Sequence, residues 1–225
     1  MYKIIFFLLL SAITFAQNST DEFGRKQGKW TQKHDNGNLR YEGTFVNDVP
    51  IGIFLYYTER GILKANLEYF NEGSSTAARL YHPNEKVSAV GVYENEEKVQ
   101  LWKYYDQNGV LIRDENFKAG KLHGETKAYY LDGKLLESSN YTEGKKEGEN
   151  TQYYRNGKLK LVSNYANGKL EGEYILYNSA GVNTYEGKYL NDLKEGIWKY
   201  YKSDGSFDYK IDYENGIAQT QENND

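Results

Sequence analysis

Gly28, Gly52, Gly124, Gly148, Gly172 and Gly196 all fall on one 24-residue lattice, whose missing points are Thr76 and Gln100. Nine residues on, a second lattice holds Gly37, Gly61, Gly109, Gly133, Gly157, Gly181 and Gly205, broken only by Glu85. A third holds Tyr57, Tyr81, Tyr105, Tyr129, Tyr153, Tyr177 and Tyr201, with Lys33 in the first unit. A fourth is aromatic throughout: Phe45, Tyr69, Tyr93, Phe117, Tyr141, Tyr165, Tyr189 and Tyr213. Eight units therefore cover residues 28 to 219 without insertion or deletion. A fixed short period of this kind means a repeat array in which each unit stacks on its neighbours.

Within a unit the pattern is that of a β-hairpin. Asp35-Asn36-Gly37 and Arg155-Asn156-Gly157 are turn signals, because Asn and Gly accept the positive φ of tight turns. Beyond the first turn, Leu39, Tyr41, Gly43 and Phe45 alternate with Arg40, Glu42 and Thr44, a period-two strand. The run around Trp30, Trp102 or Trp198 supplies the partner strand. A three-residue loop with left-handed Gly37 pairs residue 34 with 38 and 33 with 39. That sets the tyrosine column opposite the aliphatic column of Leu39, Leu63, Val87, Leu111, Leu135, Leu159 and Phe207 on one face, with Asn183 the exception. The predicted fold is all-β, an elongated single-sheet β-meander of tandem 24-residue hairpins. It has about sixteen strands and runs roughly 75 Å at about 4.8 Å per strand.

Composition agrees with a thin sheet. Only 39% of the residues are hydrophobic, and 23 of the 225 are tyrosine, so aliphatic side chains are too few for a layered core. An aromatic share of 16% argues against disorder. A net charge of −4 argues against a nucleic-acid partner, which calls for a basic surplus. With no cysteine there are no disulfides, thiolate metal sites or Cys nucleophiles.

Residues 1–16 carry one lysine, an apolar run of about a dozen residues and then Thr14-Phe15-Ala16 before Gln17, the form of a cleavable secretory signal peptide. The run is short of the ~20 residues that span a bilayer. The predicted organisation is a signal peptide over 1–16, a polar lead-in over 17–27, eight repeats over 28–219 and a polar tail over 220–225. The mature chain is expected outside the cytoplasm. The leader resembles those of Gram-negative bacteria, for which the address is periplasmic or secreted. The sequons at Asn18 and Asn140 are read as chance.

Tyr41-Glu-Gly-Thr-Phe45-Val-Asn and Tyr185-Glu-Gly-Lys-Tyr189-Leu-Asn, followed by Gly52 and Gly196, resemble the core of the MORN (membrane occupation and recognition nexus) repeat. The stretch from Asn156 to Gly172 is similar to the bacterial variant of that repeat. The resemblance extends over the whole lattice. Units three and four depart from it by lacking the opening glycine, and unit three replaces its turn with His82-Pro83-Asn84-Glu85. It implies an elongated hairpin array that contacts proteins or lipids. Many bacterial members are designated antitoxins of toxin–antitoxin modules, a role into which an exported chain fits poorly.

Chemistry-bearing constellations do not emerge. His34, His82 and His123 stand apart without the three or four convergent ligands of a zinc site, so neither metal nor cofactor is expected. The Gly120-to-Gly124, Gly144-to-Gly148 and Gly168-to-Gly172 segments recur between strands and read as inter-repeat turns rather than phosphate cradles. No enzyme signature is present. The candidate interaction surface is an exposed aromatic track of Trp30, Tyr56, Trp102, Tyr104, Tyr130, Tyr154, Trp198 and Tyr200, which in each Tyr-Tyr pair assigns the lattice tyrosine to the core and its neighbour to the cover. The leading expectation is an exported, non-enzymatic scaffold that binds another protein. The alternatives are an antitoxin or immunity protein that occludes a toxin, and a module binding a glycan or a lipid surface; the last is disfavoured because Lys145, Lys146, Lys158 and Lys160 give only a local basic patch. Unit three, residues 76–99, is singled out as the place where the array bends or is read. There Thr76, Pro83 and Glu85 break the turn pattern, and Ala78 replaces the aromatic of the Trp30 position.

Overall fold

The computed structural model describes residues 17–223, and the apolar leader over 1–16 lies outside them. Two lead-in residues form β1 (Ser19–Thr20). The first four repeats supply β2 (Lys26–Lys33) and β3 (Leu39–Val46), β4 (Val49–Tyr57) and β5 (Leu63–Phe70), β6 (Ser75–Tyr81) and β7 (Val87–Glu94), and β8 (Glu97–Tyr105) and β9 (Leu111–Lys118). The last four supply β10 (Lys121–Tyr129) and β11 (Leu135–Thr142), β12 (Lys145–Tyr153) and β13 (Leu159–Ala166), β14 (Lys169–Tyr177) and β15 (Asn183–Leu190), and β16 (Leu193–Tyr201) and β17 (Phe207–Glu214). A final strand, β18 (Ile217–Asn223), follows. Each strand pairs antiparallel with its neighbours in sequence, giving one open meander. There are 18 strands among the described residues rather than sixteen. The two extra strands are β1 before the eight hairpins and β18 after them, and Asn18 closes the first end by bonding Thr31 through its side-chain oxygen and nitrogen.

The hairpin loops have the register read from the sequence. Lys33 pairs with Leu39, the His34 N–H donates to the Asn38 carbonyl at 2.8 Å, and Gly37 sits at φ 87°. Except between β5 and β6, the inter-repeat turns are of the two-residue kind with positive φ at both positions, as at Asn47 and Asp48 (52° and 67°) or Asn167 and Gly168 (53° and 86°). Their twist matches that of the flanking strands, so they close hairpins without splaying them.

Face assignment departs from the simple alternation. Pairing passes from Gln32↔Tyr41 to Lys33↔Leu39, which leaves Arg40 unmatched as a bulge. One extra residue reverses parity. The Tyr57 and Leu63 columns therefore leave the face of Tyr41 and Phe45, and the Tyr57 hydroxyl instead donates to Glu42 at 3.0 Å on the other side. Tyr129 and Tyr201 bond Asp114 and Glu186 in the same way. The expected order within each pair is thus reversed: Tyr56, Tyr104 and Tyr200 pack among the aromatics of the front face, and the lattice tyrosines stand on the back.

The front face holds the core. Trp102 and Trp198 are 0% exposed and Phe54 is 1% exposed, unusual for a sheet with no second layer. The preceding strand makes this burial feasible. Phe54, Trp102 and Trp198 lie over Gly43, Gly91 and Gly187, where a Cβ would overlap the ring. Each tryptophan also has a lysine four residues before it, with Nζ 5.1, 4.6 and 4.2 Å from the rings of Trp30, Trp102 and Trp198. Between the aromatic stretches lies a polar break. Buried Ser139, Asn150 and Ser163 are hydrogen-bonded to one another, and Lys146 bridges Asn150 and Glu137.

Candidate functional site

The glycine–aromatic pairing is one case of a size rule. Position 43 of each unit faces position 54 of the next, and where the first is Gly the second is Phe or Trp. In unit three the sizes are exchanged, with Leu67 opposite Ala78. Ala78 is therefore buried rather than a hole beneath the aromatic row, and it joins Ala89 and Trp102 in a cluster with Leu67, Leu80 and Tyr93.

The backbone of unit three changes with it. Elsewhere the opening glycine is a bulge: at Gly52 (φ 63°) pairing jumps from Glu42↔Leu55 to Thr44↔Ile51. Between β5 and β6 pairing runs unbroken from Ala65↔Leu80 to Phe70↔Ser75. The two residues of the missing bulge reappear in the turn, which holds four residues, Asn71 to Ser74, where Val46↔Val49 encloses two. Thr76 can replace glycine because no positive φ is needed there. The period of 24 is kept by moving the extra residues from strand to turn.

Small side chains and the displaced turn together open a bay of about 780 Å³ in the front face. Tyr56, Leu67, Tyr69, Leu80 and Tyr93 form its apolar lining, and Lys64, Ser74, Asn95 and Glu96 contribute polar groups. The Tyr56 and Tyr69 hydroxyls stand 3.4 Å apart. Burial pushes the Tyr56 and Tyr93 hydroxyls above the ordinary tyrosine value, so both stay neutral. A half-open apolar cavity with a few polar groups is the form that ligand and side-chain pockets take.

The expected aromatic track fares unevenly. Tyr56 lines the bay. Trp102 and Trp198 correct the expectation of an exposed track: both are fully buried, because the facing glycines let the indoles lie flat on the sheet. Trp30 is half-buried and its Nε1 donates to the Ser19 carbonyl. Tyr104 and Tyr200 accept hydrogen bonds from Lys98 and Lys194 at 2.8 and 3.0 Å. Tyr130 and Tyr154 donate to the Tyr153 and Tyr177 carbonyls of the following repeats, both at 2.8 Å. His34 and His82 occupy the same column and donate through Nε2 to the Tyr57 and Tyr105 carbonyls, which gives these histidines an inter-repeat role. The sequence reading missed Leu67, Tyr69, Leu80 and Tyr93 as bay residues; the reciprocal sizes of Leu67 and Ala78 were the available signal.

No group of three or more His, Cys, Asp or Glu converges among the described residues. Asp106, Glu125, Asp132 and Asp204 are all held below the usual carboxylate value, chiefly by the Val110 N–H, Lys127, Arg155 and the Ser206 hydroxyl. Such carboxylates stay ionised near neutrality, unlike a general acid.

A family model described as MORN repeat variant matches residues 26–47, 101–119, 122–143 and 146–167. No curated protein matches the chain. Among solved structures, a crystal structure of TarM aligns over 53% of this chain at 12% identity with a TM-score of 0.26. A GtfA/B complex bound to UDP and GlcNAc aligns over 50% at 17% identity (TM-score 0.23), and a TcdB2-TccC3-Cdc42 structure over 89% at 13% identity (TM-score 0.25). The aligned parts span 19%, 22% and 13% of those chains.

Proposed function

Since the chain is a MORN-repeat protein, we propose that it is an exported, non-enzymatic scaffold that binds another protein through its aromatic front face, with the bay of unit three as the anchor point. The observation that carries this reading is the bay itself. It lies in the unit where the repeat departs from its own pattern, and it joins an apolar, tyrosine-lined floor to a rim bearing Lys64, Ser74, Asn95 and Glu96. Buried anchors within a polar rim dominate the energetics of protein recognition, and tyrosine is among the residues most favoured there. Export rests on the leader over 1–16 and its Ala16-Gln17 junction.

The test is capture from a cell-envelope extract with the leaderless chain and with two rim variants, Ser74→Trp, which overhangs the bay, and Lys64→Glu. A partner bound by the parent chain should be lost or weakened at least roughly tenfold by Ser74→Trp. Equal recovery by parent and variants would refute the bay as the anchor. For export, N-terminal sequencing of the protein from its native cells should begin at Gln17; a retained Met1 in the cytosol would refute it.

A further inference from the structure

On the back face, behind the bay, Ile53 (56% exposed) and Leu101 (41% exposed) flank a hollow of about 440 Å³. Its floor is Ala77, Val90, Gly91 and Val92. Farther along the sheet the column of Ile53 and Leu101 turns acidic as Glu125, Glu149 and Glu173 before it reaches Ile197, so three carboxylates separate the apolar ground of units two to four from that of Ile197.

Charges of both signs surround this hollow. Glu68, Arg79 and Lys103 rim it. Arg79 and Lys103 belong to the column that continues as Lys127 and Lys199, and those two lysines are paired, with Glu125 at 2.8 Å and Glu186 at 3.7 Å. Among the described residues, no ion pair includes Glu68, Arg79 or Lys103. The patch thus joins aliphatic knobs, an apolar hollow, an unpaired carboxylate and two unpaired cations within one small area.

We propose that the back face of units two to four is an isologous interface with a second copy of this chain. A two-fold interface requires that one patch complement itself. Here rotation about an axis through the patch sets Leu101 of each copy toward the hollow of the other and brings Glu68 against Arg79 and Lys103. A partner of different sequence would need only one half of each complement, whereas this patch displays both. The mixed rim also offsets the repulsion expected between two copies of an acidic chain. Dimerisation through the back face leaves the two front faces, and their bays, directed away from each other.

Sedimentation velocity on the leaderless chain, from about 1 to 100 μM, reads the association directly. The expected result is a concentration-dependent dimer that Leu101→Glu abolishes or weakens at least roughly tenfold. Glu68→Arg and Arg79→Glu should each weaken it, and the two together should restore it by exchanging the charges. Ile197→Glu, an equally exposed position outside the patch (53%), should leave the dimer intact. Far-UV circular dichroism confirms that each variant keeps its sheet, and a variant that loses the sheet is replaced by Leu101→Gln. A parent chain that stays monomeric to the top of the range overturns the proposal. So does a dimer indifferent to Leu101→Glu, or one broken by Ile197→Glu. These outcomes are independent of Ser74→Trp, which reports on the opposite face.

Discussion

Replacing Gly91 by alanine adds one methyl group, yet it should be among the most damaging small substitutions in the protein. Gly91 is not at positive φ, so the change brings no backbone strain and isolates the packing effect. A Cβ at this position overlaps the Trp102 indole, which is fully buried and cannot yield without moving its neighbours. Overpacking of this kind costs about 1–3 kcal/mol. If the indole shifts, it also loosens its edge-to-face contact with Tyr93 (4.8 Å), the Lys98 ammonium over its ring (4.6 Å) and the Nε1 hydrogen bond to the Val92 carbonyl (3.1 Å). Partial loss of these, each about 0.5–1.5 kcal/mol, brings the total to about 2–4 kcal/mol. The assay is urea unfolding followed by far-UV circular dichroism, in the parent and in a Trp102→Ala background. Trp102→Ala alone should cost about 3–5 kcal/mol. In that background the clash is gone, and Gly91→Ala should become neutral or stabilising by up to about 1 kcal/mol through the lost freedom of the unfolded chain. An equal penalty for Gly91→Ala in both backgrounds would refute the glycine–indole coupling.

Glu85 and Gln100 stand at φ 63° and 60° where other units have glycine, so Glu85→Gly and Gln100→Gly should each stabilise by about 1 kcal/mol. Thr76→Gly, at a position without positive φ, should not; a gain from all three alike in urea midpoints would contradict the relocated bulge. Ala78→Trp should destabilise by about 1–3 kcal/mol through collision with Leu67, and Leu67→Gly should rescue it; a stable single variant would show that the size rule does not hold. Burial first, and then hydrogen bonds to Asp114 and Glu186, raise the Tyr129 and Tyr201 hydroxyls to about 12. Because the fold holds these protons more tightly than the unfolded chain does, their stabilisation is complete below about pH 10 and is lost as pH climbs from there through about 12. Tyrosinate absorbance should therefore rise together with loss of the sheet signal; free titration near pH 10 in an intact sheet would contradict this.

The array was legible because its determinants are local. The turn glycines fix the loop type, the loop fixes Lys33 opposite Leu39, and the 24-residue spacing does the rest. What escaped depends on backbone irregularities whose sequence trace is ambiguous. The bulge at Arg40 carries no glycine of its own, so the tyrosine pairs were assigned to the wrong faces. Trp102 and Trp198 were expected on an exposed track, and they are buried because Gly91 and Gly187, on the preceding strand, leave room for the indoles. Unit three was recognisable as irregular from Thr76, Ala78 and Glu85. Its bay was not, because the bay depends on where the two bulge residues went.

The contact between an aromatic ring and the glycine of the preceding repeat has a consequence for how such a gene can grow. A block cut at the opening glycines, such as residues 76–99, carries Gly91 but leaves Trp102 behind, so a tandem copy would set the first Gly91 against the second Ala78, the one without its ring and the other without Leu67. A block cut at the hairpin loops, residues 85–108, carries Gly91 and Trp102 together and can be inserted or lost as a matched pair. The heritable module of this array is therefore out of phase with its visible repeat, and its natural joints are the exposed loops at Glu85 and Asn108, where a crossover keeps each ring with its glycine.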